Sequence, residues 1–303
     1  MSLYHKHRPD TLEQIKGNAE TISALQKMLN KPKTMPHAYL LSGETGCGKT
    51  TIGRIIKTVL EVEDCDFNEI NSSDFRGIDT IRDIIKNSQY KPLNSKYRIY
   101  LLDEVHQLSS DAQNALLKIL EDTPKHVIFI LCTTNPEKLL AAIKNRCQHF
   151  TLKPLNETEM KGLLKRVARA EGERLETEVM AKIINNSNGL PRNALQILER
   201  VLATDPEQRL EAAVQAEEEK NESIELCRAL LSNSSWGKVK GILNGLIGQN
   251  AESIRRHVLG YCQAVLLKKD NEKCGLIMEE FIEPFYNSGF PQLVLACYTV
   301  VKN

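Results

Sequence analysis

Residues 37–60 read HAYLLSGETGCGKTTIGRIIKTVL: an apolar run, a turn punctuated by glycines, then apolar residues at helical spacing. Gly43, Gly46 and Gly48 let the backbone turn through conformations closed to other residues, so that successive N–H groups point inward. The spacing G-x-x-x-x-G-K-T is that of a loop that cradles phosphates, formed here by Gly43, Glu44, Thr45, Gly46, Cys47, Gly48, Lys49, Thr50 and Thr51. Lys49 is placed to reach the β- and γ-phosphates of a nucleoside triphosphate, and the Thr50 hydroxyl to ligate Mg²⁺. Apolar Ile52, Ile55, Ile56 and Val59 mark a helix over 51–60, whose N-terminal dipole favours the anion.

The same alternation continues on both sides of the loop. Strand-like runs at 38–42, 66–70, 98–102, 127–133 and 149–152 alternate with helical patterns, which predicts an α/β domain with a parallel sheet and helices on both faces. After residue 156 only amphipathic helical stretches follow, at 160–170, 176–186 and 192–202, broken at Gly189-Leu190-Pro191 and Thr204-Asp205-Pro206. Helical patterns at 258–267, 274–285 and 293–301 fill the C-terminal part. A length of 303 residues is more than one core usually holds. The expected division is 1–154 for the α/β domain, 155–205 for an all-α lid and 206–303 for an all-α collar.

Two carboxylates stand about fifty residues past the loop. Asp103 and Glu104 close the strand pattern IYLLDE, where Asp103 can hold Mg²⁺ and Glu104 can polarise an attacking water. Thr133-Thr134-Asn135 ends the next strand pattern, and a parallel sheet delivers all such ends to one edge. Asn135-Pro136 is also ordinary turn chemistry.

Composition excludes more than it assigns. Net charge is +1, against bulk coating of nucleic acid, although residues 1–60 carry nine Lys/Arg to four Asp/Glu. The eight cysteines have no zinc-ligand spacing, so they read as reduced buried thiols and no structural metal is expected; Cys47 stands out as an oxidation hazard within the phosphate loop. No apolar run reaches membrane-span length and the N-terminus lacks an apolar signal core, so a cytoplasmic protein is expected.

Taken in order and spacing, GETGCGKT, YLLDEVH, CTTN, Asn145-Arg146-Cys147 and Gly189-Leu190-Pro191-Arg192 resemble the AAA+ ATPase subunits of sliding-clamp loaders. DFNEINSSDFRGIDTIR is similar to replication factor C small subunits. QYKP, DEVHQLS, NALLKILED and TTNPEKL are closer to the bacterial gamma/tau subunit. The resemblance covers residues 3 to about 200.

What it implies is an ATP- and Mg²⁺-dependent subunit of a circular, pentameric assembly that opens a sliding clamp and loads it on primer-template DNA. Tyr4, Arg8 and Pro9 match the segment that packs on the adenine. Thr134 falls at the first sensor, Arg192 at the second, and Arg146 at the arginine that reaches into a neighbouring subunit's ATP site. Asn145 replaces the family's usual serine beside that finger. Arg76, Arg82, Lys86 and Lys118 fall where the family tracks a DNA backbone, and Tyr90, Pro92 and Leu93 near the clamp-facing surface. The zinc-binding insertion of gamma/tau and its long C-terminal extension have no counterpart here. An AAA+ DNA motor such as a branch-migration helicase, and a non-hydrolysing scaffold, are the alternative readings.

Overall fold

A computed structural model describes residues 2–31, 34–72, 77–232, 234–249, 251–267, 269–285 and 288–302, with side chains of 214–222 excepted. The chain divides into two compact units, Met1–Pro206 and Glu207–Asn303.

The first unit opens with α1 (Leu3–Lys6) and α2 (Ala19–Leu29), followed by β1 (Ala38–Gly43) and α3 (Lys49–Val59). Then come β2 (Phe67–Asn71), α4 (Ile78–Ser88), β3 (Arg98–Asp103), α5 (Ser110–Glu121), β4 (Val127–Thr133), α6 (Ala141–Arg146) and β5 (Gln148–Leu152). The sheet is wholly parallel in the order β2-β3-β4-β1-β5. Its central strands β3 and β4 read as nearly unbroken apolar runs because both faces are covered. Tyr39, Leu41, Ile99, Leu101, Ile128 and Ile130 pack with Leu25, Ile52, Ile55 and Ile56. Their neighbours Leu40, Tyr100, Leu102, Phe129 and Leu131 point the other way, onto Ile81, Ile84, Leu116, Ile119 and Ile143. Edge strand β2 is less buried, as one-sided pairing dictates.

Helices α7 (Glu157–Ala170), α8 (Thr177–Ser187) and α9 (Pro191–Leu202) complete this unit. Asn156 caps α7 in a reciprocal box with Glu159. Helix α8 ends in left-handed Asn188 and Gly189, and Pro191 opens α9, so the Gly-Leu-Pro break is a helix stop followed by a helix start. The Gly189 carbonyl accepts the Leu155 amide at 2.8 Å, which ties this turn to the chain leaving β5.

The second unit is all helical among its described residues: α10 (Arg209–Leu231), α11 (Trp236–Gly245), α12 (Ala251–Leu266), α13 (Glu272–Phe281) and α14 (Gly289–Lys302). Its core joins Leu226, Leu230, Val258, Ile277, Phe281 and Leu293 with four buried thiols, Cys227, Cys262, Cys274 and Cys297. Helix α13 stops at Phe281 rather than continuing to 285, because Pro284 cannot continue a helix and turns Glu283 away from helical backbone; Arg255 takes the freed carbonyls of Phe281 and Ile282 at 2.8 and 3.0 Å. Arg255 is itself held by buried Glu252 through bonds of 2.8 and 2.7 Å, and Glu252 also accepts the Phe285 amide at 2.9 Å.

A second buried carboxylate, Asp66, organises the loop before β3. It accepts the amides of Leu93, Asn94 and Ser95 at 2.7, 2.9 and 2.9 Å. Burial alone would raise both carboxyls, but these donors outweigh it and hold each at about 2. Each group therefore contributes stability that is complete above its unfolded pKa and lost as pH falls through the folded value. Melting curves between pH 5 and 2 should show both units weakening. Asp66→Asn should cost the first unit about 2 kcal/mol at neutral pH and flatten its acid dependence, with Glu252→Gln doing the same to the second.

Candidate functional site

The C-terminal ends of β1, β3 and β4 lie along one edge of the sheet, and the motif residues meet there. The phosphate loop leaves β1 with Gly46 and Gly48 at φ 89° and 100°, conformations that glycine adopts without strain. Helix α3 begins at Lys49, two residues earlier than its apolar pattern suggests. The Lys49 ammonium, only 5% exposed, donates to the carbonyls of Gly43 and Glu44 at 2.8 and 3.1 Å. It has three donors, so one is left for a phosphate oxygen.

Thr50 donates its hydroxyl to Asp103 Oδ2 at 2.7 Å, although β4 lies between β1 and β3. The bond is possible because α3 runs beneath β1, β4 and β3 and comes very close to β3. Gly53, one turn past Thr50, sits where a Cβ would be 2.1 Å from Leu101 Cδ1. The all-oxygen pair of Thr50 and Asp103 fits a magnesium ion, a hard cation that takes oxygen ligands.

Glu104 follows at φ 48°, left-handed for a side-chained residue, with its amide donating to Asp103 Oδ1 at 3.0 Å. Its Oε2 accepts the Thr134 hydroxyl at 3.0 Å and lies 3.2 Å from His106 Nδ1. His106 is buried, and burial lowers its pKa against the opposing pull of Glu104, so the ring is neutral. Its place in the motif YLLDEVH gives this histidine no role, because its neighbour Thr133 is 27 residues away in sequence and 3.0 Å away in space.

Next to the loop lies a cleft of about 1090 Å³, open to solvent, bounded by Thr45 to Ile52, Asp103 and Glu104 on one side. Tyr4, Arg8 and Pro9 line it from the N-terminal segment, and Arg192 from the first turn of α9. The Arg192 guanidinium stacks 5.7 Å from the Tyr4 ring centre, and a Cβ at Gly46 would lie 3.1 Å from Arg192 Cβ. Three tethers hold the N-terminal segment over the cleft. Lys6 and His7 pair with Glu171, Asn18 bridges both backbone groups of Lys153 at 3.0 and 2.8 Å, and Arg166 donates to the Gln14 carbonyl at 2.9 Å. Arg166 also lines the cleft and had no motif to mark it.

Cys47 is half-buried, and burial pushes its thiol upward despite Lys49. A raised thiol carries less thiolate than a free cysteine, which slows its reaction with oxidants.

Other expected residues lie elsewhere. Arg146 ends α6, immediately before β5 begins, and shares a shallow groove with Pro36 and His37 at the start of β1. Six residues of β1 at ~3.3 Å each put it roughly 20 Å from the phosphate loop of its own chain. Its guanidinium pairs with Glu121 and donates to the Ala142 carbonyl at 3.0 Å. Arg82 and Lys86 are exposed on α4 and Lys118 on α5, two helices that pack together, and Arg82 pairs with Asp79 at 3.0 Å. Arg76 lies outside the described residues. Tyr90 and Leu93 are 61% and 73% exposed. Among the described residues no cluster of three or more His, Cys, Asp or Glu could hold a metal ion, and no helix is long and apolar enough to cross a membrane.

A family model described as DNA polymerase III, delta subunit, matches residues 53–156. DNA polymerase III subunit gamma of Buchnera aphidicola is 36% identical over 221 residues, which is 66% of this chain and 61% of that protein. The tau subunit of Escherichia coli is 33% identical over 235 residues, 71% of this chain and 36% of that protein. The gamma/tau subunit of Mycobacterium tuberculosis is 33% identical over 226 residues, 67% of this chain and 39% of that protein, so the chain spans 36–61% of the length of these relatives. Among solved structures, the Thermotoga maritima RuvB Holliday junction branch migration motor superposes with a TM-score of 0.61 at 20% identity, covering 74% of this chain and 79% of that one. A point mutant of the same motor gives 0.62 at 18%, covering 75% and 80%.

A parallel sheet with a phosphate loop on β1, carboxylates on β3 and a polar end on β4, followed by helices, is an AAA+ nucleotide-binding fold. Within that class, the relatives in sequence are gamma, tau and gamma/tau subunits of DNA polymerase III, to which this chain is similar over 66–71% of its length.

Gly53→Val tests the geometry of the loop. The added side chain should force α3 away from Leu101, cost about 1–3 kcal/mol in stability and separate Thr50 from Asp103. Urea melts and Mg²⁺-dependent binding of a fluorescent ATP analogue should both weaken.

Proposed function

We propose that the chain is an ATPase subunit of a sliding-clamp loader, one member of a circular assembly that is pentameric and includes other loader subunits. The observation that carries the reading is the separation of the chemical groups onto opposite edges of one sheet. Lys49, Thr50, Asp103, Glu104 and Thr134 gather at the C-terminal edge, while Arg146 projects at the N-terminal edge, out of reach of its own loop. A site arranged this way is completed by a neighbouring copy or subunit.

In this mechanism ATP lies in the cleft with its adenine against Tyr4, Arg8 and Pro9. The N–H groups of residues 44–51 and the Lys49 ammonium take the phosphates at the start of α3. Thr50 and Asp103 would hold Mg²⁺, which neutralises charge on the β- and γ-phosphates. Glu104 orients the attacking water, Thr134 adjoins it, and Arg192 reaches the γ-phosphate from the lid formed by residues 155–205. Arg146 of one subunit stabilises transition-state charge in the next. The helical unit from 206 onward serves as the collar that holds the ring together.

ATP binding then closes the ring around an opened clamp and primer-template DNA, and hydrolysis releases the clamp. Arg82, Lys86 and Lys118, with Arg76, supply phosphate contacts that position DNA without reading bases. Tyr90, Pro92 and Leu93 offer the clamp an apolar surface on a loop braced by Asp66. Work of this kind takes place in the cytoplasm, at the replisome. The likeness to the branch-migration motor is one of fold. The greater sequence identity to gamma/tau subunits favours clamp loading, and the intact loop and carboxylates favour hydrolysis over scaffolding.

In the assembled complex, Lys49→Ala should abolish ATP binding by the altered chain. Arg146→Ala should leave its binding intact and lower clamp- and DNA-stimulated turnover by about three orders of magnitude at the affected sites. Turnover that survives both substitutions contradicts the mechanism.

A further inference from the structure

Glu104 occupies a left-handed backbone conformation, φ 48°, that a side-chained residue rarely adopts. Such a residue persists where its surroundings hold it in place. Of the groups around its carboxylate, Thr134 belongs to the proposed catalytic set, whereas His106 has had no role.

The ring nitrogens of His106 have different partners. Nε2 lies 3.0 Å from the side-chain amide nitrogen of Gln107, a donor, so Nε2 is the accepting nitrogen. The proton of the neutral ring therefore sits on Nδ1, which lies 3.0 Å from Thr133 Oγ1 and 3.2 Å from Glu104 Oε2. Thr133 is fully buried and its oxygen also accepts the Asn135 amide at 3.1 Å, so the hydroxyl that anchors the ring is fixed to the end of β4. Oε2 of Glu104 thus accepts the Thr134 hydroxyl on one side and on the other lies against Nδ1 of His106, whose N–H is directed at Thr133 Oγ1.

We propose that His106 is the positioning residue of Glu104: its ring, fixed by Thr133 and Gln107, stands 3.2 Å from Oε2, limits the carboxylate to one orientation and leaves Oε1 to receive the proton of the attacking water. The inference rests on the reading of Glu104 as the group that activates water. His106 touches neither nucleotide nor water, and acts by restricting the carboxylate to one orientation. Its loss leaves Glu104 free to rotate about a strained backbone with only Thr134 to hold it.

The test compares His106→Ala, His106→Asn, His106→Gln and Glu104→Gln in the full chain within its purified assembly. ATP turnover, binding of a fluorescent ATP analogue and melting temperature are read for each. An asparagine places an N–H donor close to the Nδ1 position, whereas a glutamine places it near Nε2. His106→Ala should lower kcat about tenfold to a hundredfold, the usual effect of removing a group that orients a reactive one, with the nucleotide Kd changed less than about threefold. His106→Asn should recover to within about fivefold of the unaltered protein, and His106→Gln should stay slow. If His106→Ala does not fold, the Asn and Gln variants decide by the same comparison.

Unchanged turnover in His106→Ala beside an inactive Glu104→Gln overturns the positioning role alone. Equal rates for the Asn and Gln variants also overturn it, as does turnover that falls only in step with nucleotide binding. Normal turnover in Glu104→Gln overturns the water-activating role of Glu104, and the positioning role with it.

Discussion

The close approach of α3 to β3 is the contact on which the site depends. Helix α3 must run under β4 to bring Thr50 against Asp103, and the missing Cβ of Gly53 is what lets it lie against Leu101. A helix held a further side chain's thickness from the sheet would still carry a phosphate loop, but its hydroxyl would not meet the carboxylate two strands away. Helix packing and metal chemistry are therefore set by one contact, with Ile52, Ile55 and Ile56 of the same helix buried beside it.

Parallel strands impose the second constraint. Every strand delivers its C-terminal end to the same edge, so Gly43, Asp103 and Thr133 become neighbours although they are far apart in sequence. The segment before β5 is sent to the opposite edge by the same rule. Arg146 thus cannot serve the loop of its own chain, and its present partner is Glu121. An exposed pair of this kind is worth about 0.2–1 kcal/mol, little enough for the proposed contact with a neighbouring subunit's triphosphate to replace it.

Much of this was legible in the amino-acid order because buried parallel strands leave a strong trace. The runs at 98–102 and 127–133 are apolar but for Arg98 and Thr133 at their ends, and each forms a strand with boundaries shifted by at most one residue. The loop, the carboxylate pair and the Gly-Leu-Pro break are local in sequence, so spacing alone exposes them. Features made by distant segments left no such trace. His106 acquires its partners only when β3 and β4 lie side by side, and Glu171 reaches Lys6 across 165 positions. The carbonyls at the end of α13 are taken by Arg255, which belongs to another helix, although the stop itself is local, at Pro284. Helix α11 was not marked because Gly237, Gly241 and Gly245 dilute its helical pattern.

The central claim is that each chain holds a catalytic site lacking one arginine. The most direct measurement is ATP turnover per chain in two fractions separated by size, the isolated subunit and the purified assembly, at saturating Mg²⁺ and ATP. If the site is completed by a neighbour, the isolated subunit binds nucleotide but turns it over about a thousandfold more slowly than the assembled one. Equal turnover per chain in the two fractions would contradict the account.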